Sequence, residues 1–84
     1  MGAVRVTVAY FGTARECTGT AEEELELTQP ASLQQLFSKL VAIHPRLAEI
    51  KQILLPLVND KRVPEETELK GGDHVALLPP VDGG

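Results

Sequence analysis

Sulfur-bearing side chains are scarce in this chain, which has one cysteine, Cys17, and one methionine. No intrachain disulfide can form, which fits a reducing compartment and leads us to expect the cytoplasm. Basic residues are also few, with eight Lys and Arg against twelve Asp and Glu and a formal net charge of −4. They are scattered from Arg5 to Lys70. Phosphate binding needs them clustered, so a nucleic-acid partner is not expected. The acidic balance keeps a small domain soluble and suits a partner with a basic docking face.

No apolar run approaches membrane-spanning length, so no membrane role is expected. The start, Met1-Gly2-Ala3, leads into an alternating segment with no visible signal peptide, and Val6 stands where a myristoylation site has Ser or Thr. His44 and His74 are isolated, with no Cys or His at ligand spacing, which argues against zinc. Gly71-Gly72 lacks the lysine and spacing of a phosphate loop. Cys17 reads as a small apolar filler, although nearby Arg15 would favour a thiolate. Glu22-Glu23-Glu24 reads as a solvated face. No cofactor is expected to bind this chain.

The 84 residues suffice for one core. Val4, Val6, Val8 and Tyr10 alternate with Arg5, Thr7 and Ala9, which predicts a strand ending near Phe11. Gly12 breaks it. Thr13 to Cys17 suits one helical turn capped by Thr13, and Gly19 ends that turn. Leu25 and Leu27 share one face and Glu24 and Glu26 the other, which predicts a second strand with one wet side. Ser32 and Gln35 have the spacing of a capping box. Leu33, Leu36, Phe37, Leu40 and Val41 then form an apolar stripe. The main helix is therefore expected over Ser32 to His44, stopped by Pro45. Arg46 to Ile53 suits a second short helix.

Pro56-Leu57-Val58-Asn59 reads as a short strand with Asn59-Asp60 as turn formers. Arg62-Val63 suits either a further short strand or an extension of the turn. Gly71-Gly72-Asp73 is a tight turn before a last strand, His74 to Leu78. Two strands, one packed helix and a returning sheet make an α+β domain of two layers over residues 1–78.

Residues 79–84 form the other expected unit. Pro79 and Pro80 lack an N–H and fix φ, so they favour an extended path away from the sheet. The run Pro79-Pro80-Val81-Asp82-Gly83-Gly84 has six residues and would reach at most about 20 Å. Gly83 and Gly84 have no Cβ, so the carboxylate of Gly84 can pass a narrow channel. A free carboxylate is a poor acyl donor. Adenylation by ATP would give it a good leaving group, and attack by sulfur would then yield a thiocarboxylate. No side chain of this chain need do chemistry.

At these residues the sequence resembles the MoaD family, the small subunits of molybdopterin synthase. Leu77-Leu78-Pro79-Pro80-Val81-Asp82-Gly83-Gly84 carries the resemblance, with Phe11-Gly12-Thr13-Ala14-Arg15-Glu16, Leu57-Val58-Asn59 and Gly72-Asp73-His74-Val75-Ala76. It covers essentially the whole chain. It implies a ubiquitin-like β-grasp fold, with a mixed sheet packed on the main helix and an extended tail. It implies a sulfur-donor subunit without catalytic side chains, within a sulfurtransferase whose catalytic groups lie on the large subunit, MoaE. A separate ATP-dependent enzyme, MoeB-like, would adenylate Gly84, and the tail would deliver sulfur to a cyclic pyranopterin precursor. Two large and two small subunits would form a tetramer.

The resemblance also implies a partner interface of Phe11, Leu78, Pro79, Pro80, Val81 and Asp82 beside the sulfur-carrying Gly83-Gly84. Leu78 replaces a frequent aromatic, and Arg62 sits where an apolar residue contributes to the same patch. Packing of Phe11 in the core is the plain alternative. Other functions share this ending: a protein modifier joined through Gly84 to lysines, a sulfur carrier of the thiamine pathway, and an interaction module with an inert tail.

Overall fold

The computed structural model describes residues 2–80. Strand β1 (Ala3–Tyr10) leads through a short helix, α1 (Thr13–Thr18), to β2 (Glu22–Thr28), helix α2 (Leu33–Ile43), β3 (Leu55–Val58) and β4 (His74–Leu78). The four strands form one mixed sheet in the order β2-β1-β4-β3. β1 and β4, first and last in the chain, are the central pair and run parallel, while β1–β2 and β3–β4 are antiparallel. The α+β expectation and the four expected strands are borne out.

Period two decides which side chains enter the core. Val4, Val6, Val8 and Tyr10 of β1, Leu27 of β2, Val58 of β3, and Val75 and Leu77 of β4 are all buried. They share one core cluster with Leu33, Leu36, Phe37 and Leu40 of α2. Burying a Leu or Val of this kind contributes about 1.5–3 kcal/mol each.

The N-terminus of α2 is closed by side chain and loop together. Ser32 Oγ accepts from the Gln35 N–H, and Gln35 Oε1 accepts from the Ser32 N–H. The N–H groups of Leu33 and Gln34 donate to the carbonyls of Thr67 and Glu65. Thus the otherwise free donors of the first turn are satisfied. His44 caps the other end, its N–H on the Leu40 carbonyl. Pro45 then opens a 3-10 stretch, Pro45–Glu49, followed by another, Lys51–Ile53. The expected second helix is therefore two tighter turns, pinned by the fully buried Leu47.

Two local expectations change. Gly12, not Thr13, is the N-cap of α1, with no side-chain cap bond. Arg62-Val63 forms no strand; Lys61 pairs with Val58 in an isolated bridge around the Asn59-Asp60 turn. The loop that follows is nonetheless anchored, because Leu69 is buried and its N–H donates to the Ala31 carbonyl. Among the described residues no helix is long and apolar enough to cross a membrane.

Candidate functional site

The site grows from the central strands. β1 and β4 end side by side, with Tyr10 opposite Leu77. The next N–H, of Phe11, still donates to the Leu77 carbonyl at 3.3 Å. The same register sets Phe11 beside Leu78. Gly12 then turns the chain with φ 55° and ψ −126°, and the Ala14 N–H closes the turn on the Phe11 carbonyl. A positive φ at the first central position of such a turn favours glycine. Gly12 also lies directly against Pro79: a Cβ at position 12 would fall 2.7 Å from Pro79 Cγ. Pro79 is half-buried and Pro80 exposed.

The outer face of the sheet is divided. On the β2 side it carries Glu22, Glu24 and Glu26, with Arg5 3.9 Å from Glu24 in a solvated pair. On the β3–β4 side the paired residues are apolar: Ala9, Ala76 and Leu57 in one row, Leu78 and Leu55 in the next. These five are only half-buried. Phe11 continues that patch and is 46% exposed, so core packing of Phe11 is ruled out. An apolar patch of this kind is a candidate docking surface.

Behind the face, Glu23 departs from its neighbours. It shares the inward face of β2 with Leu25 and Leu27, and it is half-buried. Its carboxylate accepts from the Tyr10 hydroxyl and meets His44 Nε2 at 2.7 Å. The His44 ring stands edge-on to Tyr10, 5.9 Å between centroids. Burial, then the hydrogen bond to Glu23, then the negative charge of Glu23 push the Tyr10 hydroxyl far above the ordinary tyrosine range. The cluster ties the C-terminal end of α2 to β1 and β2. Glu22-Glu23-Glu24 is therefore not one solvated face. The alternation of Glu23 with Leu25 and Leu27 was the signal for this.

At the opposite end of β4, Asp73 ties two turns. Its carboxylate accepts from the Lys70 N–H and from Asn59 Nδ2, while Asn59 Oδ1 accepts from the His74 N–H. Asn59 and Asp60 both have positive φ, as the two-residue turn after β3 requires.

Residues 8–84 match the ThiS family. The chain belongs to this family. Among individual relatives, it is 38% identical over 82 residues to the molybdopterin synthase sulfur carrier subunit of Mycobacterium tuberculosis, covering 96% of this chain and 99% of the relative. It is 35% identical over 83 residues to the subunit of that name from Chlamydomonas reinhardtii, covering 96% and 100%.

Solved structures agree. A putative molybdopterin converting factor, subunit 1, from Pyrococcus furiosus superposes with a TM-score of 0.87 at 32% identity, over 93% of this chain and 99% of that one. Subunit 1 and 2 of molybdopterin-converting factor from Helicobacter pylori form a protein–protein complex whose matching chain gives 0.68 at 29% identity, over 96% and 100%. A ubiquitin from Caldiarchaeum subterraneum gives 0.66 at 16% identity, over 99% and 100%, which shows the shared fold. This ThiS-family chain is thus a ubiquitin-like β-grasp domain, as its resemblance implied.

The fold brings Phe11, Leu78 and Pro79 together at the end of the central strands. Leu55, Leu57, Ala9 and Ala76 join them, and sequence reasoning had not assigned these to the patch. Arg62 is exposed past the β3 turn, outside the strand ladders that build it. Cys17 is half-buried against the core. Val81, Asp82, Gly83 and Gly84, named as interface and sulfur-carrying residues, lie outside the described residues.

Proposed function

We propose that this chain is the sulfur-carrier subunit of a molybdopterin synthase. The observation that carries this reading is the whole-length similarity to sulfur carrier subunits. The apolar patch at the base of Pro79-Pro80 supports it, since a carrier must dock before it delivers.

In this reading an ATP-dependent, MoeB-like enzyme adenylates the Gly84 carboxylate with release of pyrophosphate. Sulfur displaces AMP and leaves a thiocarboxylate. The carrier then docks on a MoaE-like large subunit through Phe11, Leu78 and the proline base, with Val81 and Asp82 following into the partner. Gly83 and Gly84 enter the large subunit's active site, where sulfur passes to a cyclic pyranopterin precursor. The carrier contributes the sulfur atom, and the large subunit contributes the catalytic side chains. The cycle runs in the cytoplasm, and this chain itself holds no cofactor.

The test is intact mass after production with the activating enzyme. A gain equal to the oxygen-to-sulfur difference, located on Gly84, is expected. Removing Gly84 should abolish molybdopterin formation and leave the fold intact. Full activity of the truncated chain would sink the reading, and lysine-linked conjugates without any thiocarboxylate would instead mark a protein modifier.

A further inference from the structure

We propose that Gly12 is a positioning residue for sulfur transfer: it seats the Pro79 ring and so sets the direction in which the chain leaves the fold. This rests on the sulfur-carrier reading above. The two residues belong to different ends of the sequence and meet because β1 and β4 are parallel neighbours. The strand pair beneath them is buried. Tyr10 and Leu77, the last registered pair, are 1% and 0% exposed, and the Phe11 N–H still bonds to the Leu77 carbonyl.

The contact permits nothing larger than hydrogen at position 12. A Cβ there would stand 2.7 Å from Pro79 Cγ but 3.6 Å from Pro79 Cβ and Cδ. Only the far corner of the ring is in the way. Because the ring is fused to the backbone and fixes φ, moving it tilts the chain rather than one side chain. Four residues follow Pro80, and the direction of the chain at Pro79 sets where they start. Productive transfer needs reacting atoms within about 3–3.5 Å. A base direction fixed in advance also lowers the ordering cost of insertion.

The test compares Gly12→Ala, Pro79→Ala and the double variant, each charged with sulfur and assayed with the large subunit. Gly12→Ala should slow transfer at saturating partner by about tenfold or more, since misplacements near 1 Å cost up to about 100-fold. Its dissociation constant from the large subunit should change much less. In the double variant the ring corner is gone and the two Cβ atoms fit, so the rate should recover from that of Gly12→Ala to that of Pro79→Ala. The thermal midpoint should not recover, because the positive-φ strain at position 12 does not depend on Pro79. A double variant no faster than Gly12→Ala overturns the proposal. If Gly12→Ala does not fold, Pro79→Ala decides alone. A severalfold slower transfer at saturating partner with an unchanged midpoint supports the seat, and an unchanged rate overturns it.

The contact has a readout without activity. Nuclear Overhauser effects between Gly12 Hα and Pro79 Hγ are expected in the uncharged wild-type chain, and their absence overturns the seat. If they are present and the wild type transfers no sulfur, the role in transfer falls together with the sulfur-carrier reading, while the seat itself stands.

Discussion

His44 and Glu23, twenty-one residues apart, meet through Nε2 and Oε1 at 2.7 Å. The same carboxylate oxygen accepts from the Tyr10 hydroxyl, so one side chain holds a strand residue and a helix cap together. Glu23→Ala leaves a buried hydroxyl without its acceptor, and we expect it to cost about 1–3 kcal/mol. Tyr10→Phe should cost less. In a double-mutant cycle by urea unfolding, the two losses should fall short of additive by about 0.5 kcal/mol or more. Strict additivity would show that the pair is not coupled.

Tyr10 also predicts a pH dependence. Its hydroxyl stays protonated in the fold well beyond the ordinary tyrosine value, chiefly because it is buried. The unfolded chain releases that proton near pH 10, at about the reference value. Above that pH the folded state binds the extra proton, so stability falls as pH rises, by up to about 1.4 kcal/mol per pH unit. Below it the contribution is fully present. Unfolding free energies of wild type and Tyr10→Phe measured from about pH 9 to pH 11 should converge. Parallel curves would contradict this assignment.

Phe11 separates docking from folding. It is exposed, so Phe11→Ala should change unfolding stability by no more than about 0.5 kcal/mol. If it anchors the apolar patch, affinity for the large subunit should fall by more than about 1 kcal/mol, as for a central interface aromatic. Calorimetric titration against the large subunit reads this directly. An unchanged affinity would remove Phe11 from the interface.

Asn59 combines a left-handed backbone, φ 52°, with side-chain bonds to Asp73 and the His74 N–H. Asn59→Gly loses the bonds but keeps the conformation. Asn59→Ala loses both and should be less stable than the glycine variant by about 1 kcal/mol. Thermal melts of the two variants give the order, and an alanine variant as stable as glycine would refute it.

Local patterns wrote much of this fold into the sequence. The alternation of Val4, Val6, Val8 and Tyr10 named one buried face, because successive strand side chains point to opposite sides. Ser32 and Gln35 marked the start of α2, because a capping box needs only neighbours. Leu69 escaped notice, since one leucine among polar residues has no period. Glu23 was grouped with Glu22 and Glu24 by adjacency, although its parity placed it inward.

The sequence by itself determined the strands, the main helix and the proline base from which Gly83-Gly84 follows. These rest on interactions within a few residues and on the fixed φ of proline. Only the tertiary structure decided that β1 and β4 lie side by side. That pairing joins residues more than sixty positions apart, and no period of two or 3.6 encodes it. It sets Phe11 beside Leu78, gathers Leu55 and Leu57 into the same face, and brings Gly12 against Pro79. The proposed sulfur carriage is a matter of the last residues. The proposed docking patch and the contact of Gly12 with Pro79 come from strand order, which is fixed by how the whole core packs.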